Sequence, residues 1–280
     1  MQKINFITYS EGKEFEVSKK HIISLAKFSG FFEECIPYSF KDLDSEFKKK
    51  YFDILKMQRG AGYWLWKLNI IEKSLKSMNN NDILVYSDAG SSFNLHARKR
   101  FYEYIDLLNS QNIYGNLRFE CEPQHIENLW TSKELFDYFN IKIDSQHALS
   151  TQLEAGHMIF KKTEHTLELL NSFHKVLHSD IELITDKYNN TTQIANFMET
   201  RHDQSIWSLL SKIEGSIRVK NETDFRGRQN QQYSYPFLAV RRKGHGLRDR
   251  TFYKFLKYHK KNCFRMYHRS IHHKCLKHCR

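Results

Sequence analysis

The chain has 280 residues, of which 40% are hydrophobic and three are proline; this suits a packed core and excludes a disordered chain. Its formal charge of +12 is concentrated, because residues 241–280 hold fourteen Lys or Arg against one acid, Asp249, and the first 240 residues sum to −1. A near-neutral body with a basic tail lacks the spread positive footprint of a nucleic-acid binder, and no apolar run is long enough to span a bilayer.

The first predicted element is a strand at INFITY, Ile4 to Tyr9, followed by a polar loop, SEGKEFE. A helix is expected over His21 to Phe28, and a charged helix between Phe40 and Lys56 with Phe47, Tyr51, Ile54 and Leu55 inward. Trp64, Leu68, Ile71, Leu75 and Met78 then fall on one helical stripe, which places Trp64 in the core. The NNND turn stops that helix, and Ile83-Leu84-Val85-Tyr86 follows without alternation, as a strand covered on both faces does. Helix, turn and buried strand make an α/β half-unit whose acid, Asp88 in VYSDAG, stands at the carboxyl end, where open α/β sheets bind ligands.

Downstream, Ala97, Phe101, Tyr104, Ile105 and Leu108 mark a helix, and HMIF (157–160) marks a strand. A helix over Thr163 to Leu177 has Leu167, Leu170, Phe173 and Leu177 inward, and another carries Ile206, Trp207, Leu210 and Ile213. The expected architecture is one α/β domain over residues 1–240, with a mixed, mostly parallel sheet flanked by helices. A basic, aromatic, helical tail over 241–280 completes it. The five cysteines are an odd count and fit a reducing compartment, so a cytoplasmic location is expected.

Four constellations carry chemistry. In RGAGYWLWK two glycines precede a helix, between Arg59 and Lys67 and beside Trp66; this suits a diphosphate and its nucleoside, or equally a turn feeding a core helix. Asp88, with Gly90 admitting close approach, is open to a metal, to ribose hydroxyls or to a plain turn. In RHDQ, Asp203 is a candidate base or N-cap, His202 a candidate metal ligand and Gln204 an amide donor, while Glu154 in QLEAG is a second candidate base. The tail interleaves Lys and Arg with Phe252, Phe255 and Leu256, as a peripheral segment on an anionic membrane does. Its terminal His272, His273, Cys275, His278 and Cys279 have zinc-ligand chemistry without a paired knuckle.

The order RGAGYWLWK, ILVYSDAG, a glycine-containing strand and HDQSIWSLL resembles a family of bacterial and viral glycosyltransferases with the GT-A fold, over residues 4 to 215. The resemblance implies a hexosyl-type transferase that uses a nucleotide-sugar donor and a glycan or lipid-linked glycan acceptor in surface polysaccharide or lipopolysaccharide synthesis. It implies donor contacts from Tyr9, Arg59, Trp66, Lys67, Asp88, Gly90 and Gln204, with Asp203 or Glu154 acting on the acceptor. Gly90 stands where the second acid of that family's DxD motif belongs, so Mn²⁺ or Mg²⁺ would be held by Asp88 with His202 or Asp203, or else no metal would be tightly held and Arg59 and Lys67 would neutralise the leaving diphosphate. Two other readings stay open: a membrane- or nucleic-acid-binding module with an inactive enzyme-like body, and another nucleotide-sugar enzyme such as a hydrolase. With the basic tail engaged, binding of the full chain to anionic vesicles should weaken as salt is raised; salt-independent binding would contradict it.

Overall fold

The computed structural model describes residues 2–111, 113–224 and 234–242. The tail from 243 onward, with its expected helix, membrane face and zinc ligands, lies outside the described residues.

A six-stranded sheet runs in the order β2-β1-β3-β6-β5-β7. Its strands are β1 (Ile4–Tyr9), β2 (Glu34–Tyr38), β3 (Ile83–Ser87), β5 (Asn116–Glu120), β6 (Leu153–Lys161) and β7 (Ile217–Val219). Neighbours pair in parallel except at β6, which is antiparallel to both β3 and β5. Two short strands, β4 (Ser92–Phe93) and β8 (Phe237–Leu238), form a separate antiparallel pair. The mostly parallel α/β sheet expected from the sequence is therefore present.

Five helices of more than ten residues flank it among the described residues: α1 (Lys13–Ser29), α2 (Trp66–Ser77), α3 (Arg98–Ser110), α4 (Glu164–Ser179) and α5 (Asp203–Ile213). The apolar run of β3 is explained by two cores. Leu84 and Tyr86 face α2, α4 and α5 through Leu68, Ile71, Phe173 and Trp207. Ile83 and Val85 face α1 and α3 through Ile22, Phe101 and Tyr104. Both faces of the strand are thus dry, and alternation has no physical basis there.

Several expectations need correction. SEGKEFE is largely helix: α1 begins at Lys13 behind Gly12, with Glu14 and Glu16 in its first turn, where acids favour the positive helix end. The charged segment from Phe40 to Lys56 is not one helix but a 3-10 turn, Phe40–Asp42, and two short α-helices, Ser45–Lys50 and Phe52–Leu55, with Phe47, Tyr51, Ile54 and Leu55 all buried as expected. Leu167 and Ile213 are exposed, because the buried faces of their helices run through Leu169, Leu170 and Phe173, and through Ile206, Leu209 and Leu210. Trp64 lies outside α2 and is only partly buried against the core, while Leu68, Ile71, Leu75 and Met78 are buried as expected.

One buried ion pair braces the Glu127–Leu129 turn against α5. Lys212 Nζ lies 2.7 Å from Glu127 Oε2, and both side chains are fully buried. Glu127 Oε1 accepts from Thr131 Oγ1 at 2.7 Å and Gln152 Nε2 at 2.9 Å, and Lys212 also donates to the His147 carbonyl. Removing one partner strands the other charge. Lys212→Met should lower unfolding free energy by about 3–5 kcal/mol in urea titrations, and adding Glu127→Gln should recover part of the loss. A change below about 1 kcal/mol would show that the pair does not hold these elements.

Candidate active site

The carboxyl ends of β1 and β3 and the amino end of the antiparallel β6 meet at one sheet edge. A cleft of about 670 Å³ opens there, lined by Tyr9, Glu11, Gly12, Trp64, Trp66, Asp88, Gly90, Glu154, Gly156, His157, Gln204, Arg241 and Arg242, among others. Strands of different origin deliver these side chains to one place because β3 is central and pairs with both β1 and β6.

Asp88 follows β3 directly. Its backbone N–H donates to the Gly156 carbonyl at 2.9 Å, and the Tyr86 hydroxyl donates to its Oδ1 at 2.5 Å. The buried Tyr86 phenol is held well above its ordinary pKa, first by burial and then by Asp88, so it remains a donor. Gly156 lies opposite: a Cβ there would be 3.3 Å from Asp88 Oδ2 and 3.8 Å from Glu154 Oε2. Two carboxylates thus flank a glycine at the cleft floor. Glu154 is oriented by His157, whose Nδ1 lies 3.1 Å from Glu154 Oε1.

Beneath this floor sits Lys67, only 2% exposed. Its Nζ donates to the Ala155 carbonyl at 3.0 Å, lies 2.7 Å from Asp203 Oδ2 and is 3.8 Å from Asp88 Oδ1. Asp203 is buried, outside the cleft lining, and its pKa is raised to about 6 by burial, with Lys67 opposing the rise and Asp88 adding to it. Gln204 reaches the cleft but spends its amide on structure, accepting from the Ala155 N–H and donating to Gln152 Oε1 at 2.8 Å.

The opposite wall is aromatic. Trp66 stacks on Tyr9 with ring centroids 3.9 Å apart and planes 15° apart, and its Nε1 donates to the Gly60 carbonyl. Gly60, Ala61, Gly62, Tyr63 and Trp64 all have positive φ, a left-handed stretch that turns Trp64 out of the helical stripe. Trp64 instead lines the cleft and packs on His202. Gly62 has no substitute here, since a Cβ would sit 2.7 Å from Leu55 Cα.

The expected site residues are therefore only partly convergent. Tyr9, Trp66, Asp88, Gly90, Glu154 and Gln204 share the cleft. Arg59 does not line it; its guanidinium pairs with Asp186 at 2.9 Å and Glu199 at 2.7 Å. His202 is buried against Tyr63 and Trp64, its Nδ1 at 3.0 Å from the Ile184 carbonyl, and burial pushes its pKa down to about 4.

A divalent cation takes six or more oxygens and is firmest between paired acids. Among the described residues no three His, Cys, Asp or Glu side chains converge. Position 90 is crowded as well: its carbonyl accepts from the Arg242 N–H at 2.8 Å, and a Cβ would meet the Arg242 carbonyl oxygen at 3.1 Å. The described residues do not fit a two-acid metal site.

Residues that the sequence reading passed over include Tyr86, His157 and Arg118. Arg118 is fully buried in β5, donates to the Glu154 carbonyl at 2.9 Å, and is pulled down to about 10 by burial while Glu154 and Asp203 oppose that change. An arginine between Leu117 and Phe119 in an apolar strand was the available signal.

Asp203 also makes a pH prediction. Its folded pKa, about 6, exceeds the unfolded value of roughly 3.9. The folded state therefore holds more protons between these values. The contribution is fully present below the unfolded pKa and is lost as pH rises through about 6. Against Asp203→Asn, the wild type should lose relative stability from pH ~4 to ~7 in urea midpoints; a flat or rising difference would contradict the assignment.

No protein-family model matches the chain, and no curated protein matches it. Among solved structures it is similar to a glycosyltransferase involved in the glycosylation of the major capsid of PBCV-1, at 10% identity and TM-score 0.47, covering 84% of this chain and 91% of that one. It is also similar to mouse xyloside xylosyltransferase 1, at 12% identity and TM-score 0.42, covering 88% and 97%. A glucose-1-phosphate thymidylyltransferase from Bacillus anthracis follows at 11% identity and TM-score 0.35, covering 78% and 86%. Likeness at this level does not assign an activity.

Proposed function

We propose that the chain is a GT-A-type glycosyltransferase that moves a sugar from a nucleotide-sugar donor to a glycan acceptor, in surface polysaccharide or lipopolysaccharide assembly. The observation that carries this reading is the convergence of Asp88 and Glu154 on Gly156, facing the stacked Tyr9–Trp66 wall across one cleft. Aromatic faces suit a nucleoside and a sugar ring. Carboxylates at the sheet edge suit hydroxyl groups that must be oriented. The order of the sequence motifs independently supports the same class.

In this reading Asp88, fixed by Tyr86 and the Gly156 carbonyl, accepts hydrogen bonds from donor hydroxyls. Glu154, oriented by His157, is the base for the acceptor. The acceptor oxygen forms a bond to the anomeric carbon as the bond from that carbon to the diphosphate oxygen breaks. The electron pair leaves with the nucleoside diphosphate, and the acceptor proton passes to Glu154. Asp203, under Lys67, is a positioning group rather than the base, because its carboxylate is buried at 2.7 Å from the ammonium. A bound Mn²⁺ or Mg²⁺ would shield phosphate charge, but the residues present give it no paired acids. Among the described residues no helix is long and apolar enough to cross a membrane; a lipid-linked acceptor would be met through the basic tail.

The test is product analysis with a panel of UDP- and GDP-sugars, with and without glycan acceptors. Transfer to an acceptor is expected, and Asp88→Asn should reduce it by roughly 10²-fold or more while cooperative unfolding is retained. Free sugar released at full rate without any acceptor would replace the transferase by a hydrolase. Unchanged transfer by Asp88→Asn would remove the site assignment.

A further inference from the structure

Charge is the unsolved part of this cleft. A nucleoside diphosphate brings several negative charges towards Asp88, Glu154 and Glu11, and the two cations that the motif supplies are already engaged. Lys67 is buried against Asp203 at 2.7 Å, and Arg59 is paired with Asp186 and Glu199. We infer that Arg241 and Arg242 hold the diphosphate of the donor, supplying in the space beside Gly90 the positive charge that a metal held by a second acid would otherwise supply. The inference rests on the nucleotide-sugar reading of the cleft.

The backbone shows why these two residues are available. β8 pairs with β4, and the Asn94 N–H donates to the Pro236 carbonyl, so the chain returns to the loop after β3. Beyond Leu238 it crosses Gly90 and is pinned on both sides. The Arg242 N–H donates to the Gly90 carbonyl at 2.8 Å, and the Ser18 hydroxyl of α1 donates to the Arg242 carbonyl at 3.1 Å. Ala239, Arg241 and Arg242 consequently form part of the same wall as Gly90 and Ser91. A Cβ at position 90 would lie 3.1 Å from the Arg242 carbonyl oxygen, so a side chain here crowds the segment that crosses it.

Neither arginine has an acid within ion-pair distance among the described residues. Arg242 is half-buried, its Nε is buried without a hydrogen-bond partner, and burial lowers its pKa. Arg241 is exposed, and its charge bears on Arg201 and His125, further groups that an anion would relieve. Both arginines line the cleft from one tethered segment, and a guanidinium fork suits the oxygens of a diphosphate.

The experiment is calorimetric titration of the full chain with UDP, GDP and pyrophosphate, each in excess chelator and again with Mn²⁺. The wild type is expected to bind UDP or GDP in chelator, with pyrophosphate competing. Arg241→Ala/Arg242→Ala should weaken that affinity roughly tenfold or more, and the Lys/Lys variant should recover part of it. The loss should shrink as salt rises. Wild-type binding only in the presence of Mn²⁺, or equal binding by the Ala/Ala variant, would overturn the inference and leave the nucleotide-sugar reading standing. No binding of UDP or GDP with or without Mn²⁺ would overturn both.

Discussion

The buried ammonium of Lys67 is the constraint on which the site depends. Taking a lysine out of water is costly unless its donors and its charge are matched. Here one nitrogen is shared by the Ala155 carbonyl, Asp203 and, more distantly, Asp88. Those partners belong to β6, to the first turn of α5 and to the end of β3, and Lys67 itself belongs to α2. A single group thereby fixes the mutual positions of the four elements that build the cleft floor. It also lets two carboxylates approach each other where, without it, their repulsion would open the floor. The same engagement removes Lys67 from ligand binding, so the lysine of the motif organises the cleft while other cations face its contents.

A second constraint acts on the aromatic wall. Five consecutive residues, Gly60 to Trp64, hold positive φ. For Ala61, Tyr63 and Trp64 that conformation costs roughly 1–2 kcal/mol each. The surrounding contacts offset it: the Tyr63 N–H donates to the Arg59 carbonyl, Trp66 Nε1 donates to the Gly60 carbonyl, and Arg59 is locked by two acids. His202, itself at φ 54, packs against both Tyr63 and Trp64. Strain of this kind persists where packing over-determines the backbone, and it collects at ligand sites. Its effect here is geometric, since it places Trp66 flat on Tyr9 and leaves Trp64 facing the cleft.

Much of this was legible before the structure, for identifiable reasons. The unbroken ILVY run could only be a strand with both faces covered, and β3 is that strand. Asp88 at its end and the buried stripe of α2 follow from the same α/β logic, whereas Tyr9 entered only through the resemblance. What was not legible had no local signature. β2 carries Pro37 and lies at the sheet edge, so ECIPY did not read as a strand. β5 hides a buried arginine among apolar residues, and β6 extends upstream of HMIF through Gly156, which lies beside two carboxylates brought together only in the fold. Helical spacing put Trp64 in the core because periodicity cannot register a left-handed turn. Arg241 and Arg242 were counted with the tail, because their place beside Gly90 arises from a long-range return of the chain.

These features describe a cleft whose floor, aromatic wall and arginine rim come from distant parts of the sequence and should respond together to one ligand. Amide hydrogen exchange on the full chain, with and without each UDP- and GDP-sugar, tests this most directly. The account predicts that at least one donor slows exchange in concert over residues 9–12, 88–91 and 239–242. Exchange unchanged by every donor, or slowed only within residues 243–280, would contradict it.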